Sequence, residues 1–368
     1  MILSKLLLSL PGNLVITAAG ILGIGFIIAF HEFGHFIFCK IFDVKTNSFA
    51  IGYGPKLLKK KWGETNFSIG TIPLGGYVEM AAESKDGPKD PRLFTSKPLY
   101  QKLFVIFGGI TFNAIFAYFV LCLIFLVGLP KTRLLYPINT NTRISFVEKE
   151  SPAQQAGIQK EDILVSVDNQ PLGKTAEKVF EILKPLAGKT VDVRIKRDDE
   201  LQTFPVTLGK RMIFGQAYGS LGVTFDFEEK PGLPFFSAIA RGVQTANRFV
   251  ANTFKAYKNI LVKRDTKGLG GPVMIISETI KGAAKGLKIF LLFLAIISIN
   301  LAILNLIPLP ILDGGQALLF IIEGIIRRQL PERAKELIFI ACWIGMLTLF
   351  VYLSAKDIWR IIQSWIGS

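Results

Sequence analysis

The sequence predicts a polytopic α-helical membrane protein with about four transmembrane helices, a reentrant β-hairpin on the cytoplasmic side, and an inserted extracytoplasmic α+β domain. Two observations support this fold class. Half of the 368 residues are hydrophobic, and they are concentrated in long segments. A long, more polar stretch separates the second of these segments from the third, as expected of a folded insert between two membrane halves.

Four apolar segments are the predicted transmembrane helices, because a helix needs roughly 20 apolar residues to cross a bilayer. They are residues 14–39, 103–129, 287–307 and 337–353. The last segment is short, so Trp343 and Tyr352 are expected to lie at the membrane interface. The apolar piece 315–326 is too short to span the bilayer, and we expect it to pack inside the bundle.

The distribution of Lys and Arg predicts the orientation of these helices. Residues 40–102 carry eleven of them and residues 327–335 carry four. The positive-inside rule places these two loops in the cytoplasm, and it places both termini and the insert outside. The net charge of +15 is therefore attributed to loops that face the inside and that attract the negatively charged headgroups of the lipid bilayer. No basic patch interleaved with aromatic residues favours nucleic acid as a partner.

The chain divides into four parts at these segments. Residues 1–129 form the first membrane half, 130–230 the insert, 231–286 a linker, and 287–368 the second membrane half. The linker mixes Phe and Val with Arg and Lys, which predicts an amphipathic helix at the outer membrane surface. Within the insert, apolar and polar residues alternate over 190–197, which predicts a half-buried strand.

The cytoplasmic stretch contains the predicted hairpin. Residues 66–80, NFSIGTIPLGGYVEM, are rich in β-branched and aromatic residues and are broken by Pro73 and by Gly75-Gly76. Such a sequence favours a β-hairpin over a helix. An apolar hairpin between two spans can dip back towards the bilayer where protein or water satisfies its backbone.

The first apolar segment is interrupted by His31, Glu32 and His35, and the sequence has no other histidine. A spacing of four places both imidazoles on one face of a helix, where they can bind one zinc ion. Glu32 lies beside that face, where a carboxylate can take a proton from water. A charge at the centre of a span costs roughly 2.5–3.5 kcal/mol. This cost favours a metal site over a polar cluster that only joins helices.

A hydrolytic zinc site normally has a third protein ligand, and Asp313 is the best candidate. It follows Pro308 and Pro310, which break the helix and free backbone groups at membrane depth. The alternative reading of Asp313 is a loop residue that caps the next helix. Cys39 continues the spacing of four from His35 and is the alternative ligand. The preferred interpretation of Cys39, however, is a small buried apolar residue.

Three asparagines lie in the second and third spans. Asn300 and Asn305 could hydrogen-bond the backbone of an extended substrate, or they could join helices. Asn113 belongs to the stretch GGITFN, residues 108–113. Close packing against the first helix is the preferred interpretation of this stretch, and donation to an oxyanion is the alternative for Asn113.

Three motifs together resemble the site-2 protease family of intramembrane zinc metalloproteases, in particular its bacterial regulator of sigma-E protease group. They are HEFGH at 31–35, IPLGGYVEM at 72–80 and NLIPLPILDGG at 305–315. The resemblance implies that His31, His35 and Asp313 bind zinc and that Glu32 activates water. It also implies a set of substrate-binding residues, which are Asn300, Asn305, Pro308, Pro310, Gly75 and Gly76.

Residues 151–172 resemble a PDZ domain of the bacterial type, and 218–225 could form its groove strand. Only one such domain fits into the insert, whereas members of the resembled group often have two. Two interpretations stay open, which are a folded spacer and a peptide-binding domain. The family implies a third, a size filter that admits substrates already trimmed outside the membrane.

The predicted function is that of a zinc endopeptidase that cleaves transmembrane segments of single-pass proteins, such as anti-sigma factors or remnant signal peptides. The predicted location is a bacterial inner membrane, with the active site near the cytoplasmic side. The alternative is a non-catalytic PDZ membrane scaffold. Glu32 discriminates between them, because a scaffold needs no water-activating acid beside two histidines at ligand spacing. A zinc transporter would need polar residues along a continuous pore, whereas the ionisable residues here gather at one depth.

Overall fold

The computed structural model describes residues 12–81, 90–173, 176–213, 216–263, 270–328 and 330–366. The chain forms two compact units. One unit comprises the residues up to Ile124 together with those from Phe236 onwards, and the other is Phe125–Phe235.

The helices follow one another in chain order as α1 (Gly12–Ile41), α2 (Leu99–Val127), α3 (Pro152–Gln155), α4 (Glu177–Leu183), α5 (Phe235–Lys263), α6 (Pro272–Ala284), α7 (Leu287–Asn305), α8 (Asp313–Ile326) and α9 (Glu332–Ile366). The strands are β1 (Thr46–Trp62), β2 (Thr65–Met80), β3 (Thr140–Val147), β4 (Ile163–Val167), β5 (Gln170–Pro171), β6 (Thr190–Arg197), β7 (Glu200–Thr207), β8 (Gly209–Ile213), β9 (Gln216–Ser220) and β10 (Val223–Phe227).

Within the described residues, four helices are long and apolar enough to cross a membrane, namely α1, α2, α7 and α9. They coincide with the four predicted segments. Helix α9 is much longer than the predicted segment 337–353, because the helix continues through the polar residues that flank the apolar run. The shorter apolar piece forms α8, which buries Gly315 and Ala317.

Helices α1 and α2 approach each other closely where both lack side chains. A Cβ atom on Gly34 would lie 2.3 Å from the carbonyl oxygen of Gly108. Only glycine allows two helix backbones to come so near. This crossing brings the α2 residues that follow Gly108 against the histidine face of α1.

The structure contains a β-hairpin in this region, but the predicted bounds of the hairpin are wrong. Residues 66–80 do not form both strands; they belong to β2 alone, which pairs with β1. Lysines occupy much of the second half of β1, and local β-propensity did not indicate a strand there. Its pairing with β2 supplies the hydrogen bonds that this segment needs.

Both strands of the hairpin are bent, so they form a sheet of four segments. Residues 76–80 run antiparallel to 46–51, which run parallel to 65–69. Residues 65–70 in turn run antiparallel to 56–62. The segments 76–80 and 56–62 are therefore the two edges of this sheet.

The hairpin packs along α1 over much of its length. Near the end of the helix, the rings of Phe67 and Phe36 lie 5.5 Å apart. Further along, the carbonyl oxygen of Pro73 lies where a Cβ atom of Gly25 would be, at 2.0 Å. Gly25 precedes the last helical residue, Ile41, by sixteen positions, or about 24 Å at 1.5 Å per residue. The bend at Pro73 therefore reaches deep beside the span.

In the second unit, β10, β3, β4, β6 and β7 form an antiparallel sheet in that order, with β5 paired to β4. Strand β6 confirms the strand predicted at 190–197. Strands β8 and β9 form a separate hairpin. One hydrophobic core joins the sheet to α4, and it includes Ile144, Leu164, Val167, Val179, Val193, Ile195 and Phe225.

Helix α5 packs against α2 and runs in the opposite direction, as two contacts between them indicate. Gly242 lies against the backbone of Cys122, and the hydroxyl of Tyr118 donates to Asn247 at 2.5 Å. The position of the linker 231–286 relative to the bilayer stays a prediction.

Candidate metal centre

The two histidines of α1 face each other across one helical turn. Their Nε2 atoms are 3.2 Å apart, and the side chain of His31 is buried, with 6% of the residue exposed. Each ring also has a partner on α2 at its other nitrogen. Nδ1 of His35 donates to the carbonyl oxygen of Val105 at 2.8 Å, and Nδ1 of His31 lies 3.1 Å from the side-chain amide of Asn113. Both Nε2 atoms are thereby left to face the same space.

Asp313 reaches this space from the start of α8. Its Oδ2 atom lies 3.1 Å from Nε2 of His31 and 3.6 Å from Nε2 of His35. The atom is buried and makes no hydrogen bond. Helix α8 begins close against the preceding loop, because a Cβ atom on Gly315 would lie 2.1 Å from the carbonyl group of Leu309. The tight entry into the helix aims the carboxylate at the histidines.

The three side chains fit a single zinc ion. One ligand atom from each of His31, His35 and Asp313 lies within 4.8 Å of the other two. Ligands about 2 Å from a tetrahedral zinc ion are about 3.3 Å apart, which agrees with separations of 3.1, 3.2 and 3.6 Å. A buried carboxylate oxygen without a partner is costly, and a cation between these atoms would remove that cost.

Gly109 of α2 keeps the space in front of the histidines open. A Cβ atom at this position would lie 2.5 Å from Nε2 of His35 and 2.7 Å from Nε2 of His31. Any side chain here would occupy the position of the ion. Cys39, the alternative ligand, is not part of this group; it is fully buried in a cluster with Val44 and Val105.

Glu32 lies beside the hairpin edge 76–80. A Cβ atom on Gly76 would be 3.2 Å from Cγ of Glu32, and the backbone of Val78 is within hydrogen-bonding reach of the carboxylate. The ring of Tyr53 covers Gly75, and its hydroxyl donates to the carbonyl oxygen of Gly76 at 3.2 Å. The acid therefore lies between the histidines and an edge of the sheet.

The asparagines of α7 occupy different surroundings. Asn305 is buried, and its side-chain nitrogen lies 3.5 Å from Nε2 of His31, so it belongs to the metal centre. Asn300 instead accepts a hydrogen bond of 3.2 Å from the hydroxyl of Thr253 on α5. Pro308 and Pro310 lie in the loop between α7 and α8, and Pro308 is exposed.

The contact of Gly108 with Gly34 confirms the prediction that the stretch 108–113 packs closely against the first helix. Sequence reasoning missed the part that Gly109 plays in front of the histidines, and it missed Val105 and Ser298. The hydroxyl of Ser298 donates to the backbone carbonyl of Asn113 at 2.9 Å, and so joins α7 to the residue beside His31. The paired glycines at 108–109 were the available signal for the helix crossing. No local pattern marks the carbonyl of Val105, because every residue has one.

Fold and site together define a class, a protein with helices apolar enough to span a membrane in which two histidines of the first of them and an aspartate at the start of α8 form a group that can hold a metal ion. The family model of peptidase family M50 matches residues 19–351. The chain belongs to this family, which is the site-2 protease family, and its cofactor is zinc.

Two named relatives, one bacterial and one from a chloroplast, agree with this assignment. A Clostridium perfringens protein, named as a candidate zinc metalloprotease, is 32% identical over 338 residues, 90% of this chain and 95% of the relative. A chloroplast protein of Arabidopsis thaliana, named as a membrane metalloprotease, is 29% identical over 350 residues, 90% of this chain and 76% of that protein. A solved PDZ domain of a Listeria monocytogenes protein is similar at 17% identity over 23% of this chain and 87% of its own, with a TM-score of 0.21.

Proposed function

We propose that this protein is an intramembrane zinc endopeptidase that hydrolyses peptide bonds within transmembrane segments of single-pass membrane proteins. The observation that carries the proposal is the convergence of His31, His35 and Asp313, with Glu32 beside them, among helices apolar enough to span a membrane. The substrates proposed are anti-sigma factors or remnant signal peptides in a bacterial inner membrane. The insert and both termini lie outside in this proposal.

The three ligands would hold zinc, and Glu32 would act as the general base. Zinc, when bound, polarises a peptide carbonyl and lowers the pKa of water. The Glu32 carboxylate takes a proton from the attacking water and returns it to the leaving amine. Asn305, next to Nε2 of His31, is placed to hydrogen-bond the substrate backbone beside the scissile bond.

Asn113 acts in this proposal as a positioning residue for His31. An Nε2 atom that binds metal requires the hydrogen to be on Nδ1, so the facing atom must accept it. The Oδ1 atom of Asn113 is buried and otherwise without a partner. The oxygen and nitrogen of an amide are assigned from such networks, and the accepting oxygen is the atom that belongs opposite Nδ1. The earlier alternative, donation to an oxyanion, would require this amide to leave His31.

The substrate would bind as a strand along the hairpin edge 76–80. A helical peptide bond is shielded from attack, and strand addition exposes it. Within the described residues, no further strand pairs with this edge. It passes Glu32 at Gly76, so an added strand would lie next to the general base. Gly75 and Gly76 at its start, and Pro308 and Pro310 across the loop before α8, are the proposed boundaries of this path.

The insert, residues 130–230, is proposed to be a PDZ-type domain that limits the size of substrates. The size limit is what the family resemblance implies, and two features favour a PDZ-type domain over an unrelated spacer. Strand β10 is the last in its sheet, and the ring of Phe225 on it lies 6.5 Å from that of Phe180 on α4. An edge strand next to a helix is the arrangement that PDZ domains use for peptides.

Cleavage by a purified, zinc-loaded protein tests the proposal. The protein in detergent should contain about one zinc ion and should cleave a reporter substrate with one transmembrane segment. Glu32→Gln should abolish cleavage while the zinc content stays unchanged, because the amide cannot accept the proton. A Glu32→Gln protein that cleaves at the normal rate would exclude the proposed mechanism. A folded wild-type protein that binds zinc and cleaves no transmembrane substrate would favour the scaffold.

A further inference from the structure

We propose that the lysine edge, defined as residues 57–62 of β1, is a binding surface for anionic phospholipid headgroups of the leaflet at the C-terminal end of α1. The lysine edge is the sheet edge opposite the one beside Glu32. This proposal is independent of the proposed proteolytic function, because it concerns a different edge of the sheet.

The lysine edge is open along its whole length. All six residues, from Leu57 to Trp62, are exposed. They pair with β2 on one side, and no described strand pairs with their other side. Within the described part of the chain, Lys59, Lys60 and Lys61 make no ion pair with an acidic side chain. Three unneutralised cations therefore lie in consecutive positions.

The depth of the lysine edge follows from its register. Lys60 pairs with Phe67, whose ring lies 5.5 Å from that of Phe36 on α1. Phe36 precedes the last helical residue, Ile41, by five positions, or about 7.5 Å. The adjoining turn is tied to the same helix end, because Lys40 donates to Glu64 at 2.8 Å. The lysines thus lie level with the end of a membrane span, where the headgroups are.

Exposed apolar side chains accompany the lysines. Trp62 is 78% exposed and Leu58 is 64% exposed, and both lie on the sheet face that also carries Phe67, because residues alternate between faces. That face continues the surface that packs against α1. Trp is enriched at membrane interfaces. Lys60 lies between Leu58 and Trp62 on this face, so its stem extends over them while its ammonium reaches the polar layer; Lys59 and Lys61 lie on the opposite face of the strand.

A bilayer explains this combination better than other anionic partners. Nucleic acid would bind the lysines through its phosphates but would leave Leu58 and Trp62 exposed to water. Protection of an edge strand against pairing would explain the lysines, but it does not explain the exposed tryptophan beside them. Negatively charged lipids attract basic segments next to a span, and the apolar side chains enter the same leaflet.

Lipid selectivity at one position of the full-length protein tests the proposal. The reporter is an NBD fluorophore on Leu58→Cys, in a protein with Cys122→Ser and Cys342→Ser; Cys39 is fully buried and stays. The protein is placed in nanodiscs of equal parts phosphatidylcholine and phosphatidylglycerol. A nitroxide quencher is carried on the acyl chains of one lipid or of the other, and the ratio of the two quenching efficiencies is measured.

We expect quenching by phosphatidylglycerol to exceed quenching by phosphatidylcholine by roughly fivefold, the factor for one lysine at the surface. The ratio should fall towards one in Lys59→Gln/Lys60→Gln/Lys61→Gln, and also in 1 M salt, where the Debye length is about 3 Å. A matched variant, Lys149→Gln/Lys160→Gln/Lys189→Gln, removes three exposed lysines of the other compact unit and should leave the ratio unchanged. The same fluorophore at Phe119→Cys on α2, 64% exposed, should report a ratio near one.

A ratio near one at position 58 of the parent protein would overturn the proposal, as would NBD emission typical of water. The proposal would also be overturned if the triple variant of the lysine edge left the ratio unchanged, whether or not that variant aggregates. The lysines would then be assigned to protection of the edge strand against pairing. Zinc content and elution volume check that this variant is folded. If it does not fold, Lys59→Gln, Lys60→Gln and Lys61→Gln are measured singly, and each must lower the ratio.

Discussion

The side-chain amide of Asn113 lies 3.1 Å from Nδ1 of His31, on the side of the ring opposite the metal centre. Asn113 is completely buried, and the hydroxyl of Ser298 holds its backbone carbonyl at 2.9 Å. Three helices thus contribute to the orientation of one imidazole. An outer partner of this kind fixes both the tautomer and the direction of a ligating ring.

Replacement of Asn113 should weaken zinc binding without removing a ligand. Asn113→Leu is similar in volume but accepts no hydrogen bond, so the zinc dissociation constant should rise roughly 10–100-fold, as for other outer-shell changes. Asn113→Asp keeps an acceptor opposite Nδ1 and should retain more of the affinity. Competition with a fluorescent chelator measures both. Equal affinities of the leucine variant and the wild type would show that the amide only packs.

Asp313→Asn should release zinc, because the neutral amide replaces the only acidic ligand of the three. Cys39→Ala is the matched control, since it removes the alternative ligand, whose sulfur is not one of the three grouped ligand atoms. Metal content after dialysis should fall for the first variant and stay at about one ion for the second. The opposite result would assign the third ligand to Cys39.

Gly109→Ala should abolish zinc binding by filling its position. The added methyl group would lie 2.5 Å from Nε2 of His35, well inside contact distance, and the histidines belong to a rigid helix pair. Gly345→Ala on α9 is the control, because a Cβ atom there meets nothing within 4 Å. Zinc content and circular dichroism are measured for both. Full zinc occupancy in folded Gly109→Ala would contradict the fit described for this site.

The sequence was sufficient for the parts of the site that depend on local structure. A spacing of four joins His31 to His35 through the period of the helix alone, and the proline-broken loop marked Asp313 as unusual at membrane depth. The stretch 108–113 indicated close packing of α2 against α1, but the atoms of α2 that hydrogen-bond each histidine could not be predicted, because they depend on the exact position at which the two helices cross. That crossing is fixed by Gly34 against Gly108, a tertiary contact between residues far apart in sequence.

The hairpin is a case in which local sequence patterns were not sufficient to predict the structure. The β-branched and aromatic residues of β2 indicated extended structure, but the lysine-rich end of β1 has no such pattern. It becomes a strand because β2 offers unpaired hydrogen-bonding groups to it. Gly52, with a φ of +79°, permits the bend that turns two strands into four segments. Sequence patterns describe single segments, whereas this sheet depends on which segments meet.

Glu64 should make the attachment of the hairpin to α1 dependent on pH. The hydrogen bond from Lys40 lowers the pKa of Glu64 below its usual value, and the hydrogen bonds from Arg92 add to this against the opposing effect of burial. A carboxylate with a lowered pKa in the folded state contributes its full stability above the unfolded value, near 4.5. The contribution is lost as the pH falls through the folded value.

Wild type and Glu64→Gln are compared by thermal unfolding of the zinc-free protein, so that metal release does not contribute. The wild type should unfold at a higher temperature at pH 7, and the difference should shrink as the pH falls below 4.5 and then through the lowered pKa of the folded state. Glu336→Gln, an exposed change on α9, should show no difference at either pH. A difference between wild type and Glu64→Gln that persists at low pH would mean that the carboxylate charge is not what holds the turn.

Asp357 joins the last span to the start of α6, and its loss should separate them. Its carboxylate accepts hydrogen bonds from the backbone N–H groups of Gly271 at 3.1 Å and Met274 at 2.9 Å, although it is only 2% exposed. It therefore caps the N-terminus of a helix that begins with Pro272. A carboxylate at this place satisfies donors that have no partner in the helix and also interacts favourably with the helix dipole.

Asp357→Ala should lower the free energy of unfolding by about 1–3 kcal/mol, the cost of buried donors without an acceptor. Asp357→Asn keeps one acceptor and should lie between the alanine variant and the wild type. Glu336→Ala, an exposed change on the same helix, should have almost no effect. Hydrogen exchange of the backbone amides of Gly271 and of residues 273–275 locates the change. Protection there should fall most in Asp357→Ala, less in Asp357→Asn and not at all in Glu336→Ala. Because α6 packs against α1, exchange that stays slow at 271–275 despite the substitution would mean that the contact with α1, not the cap, holds the start of α6.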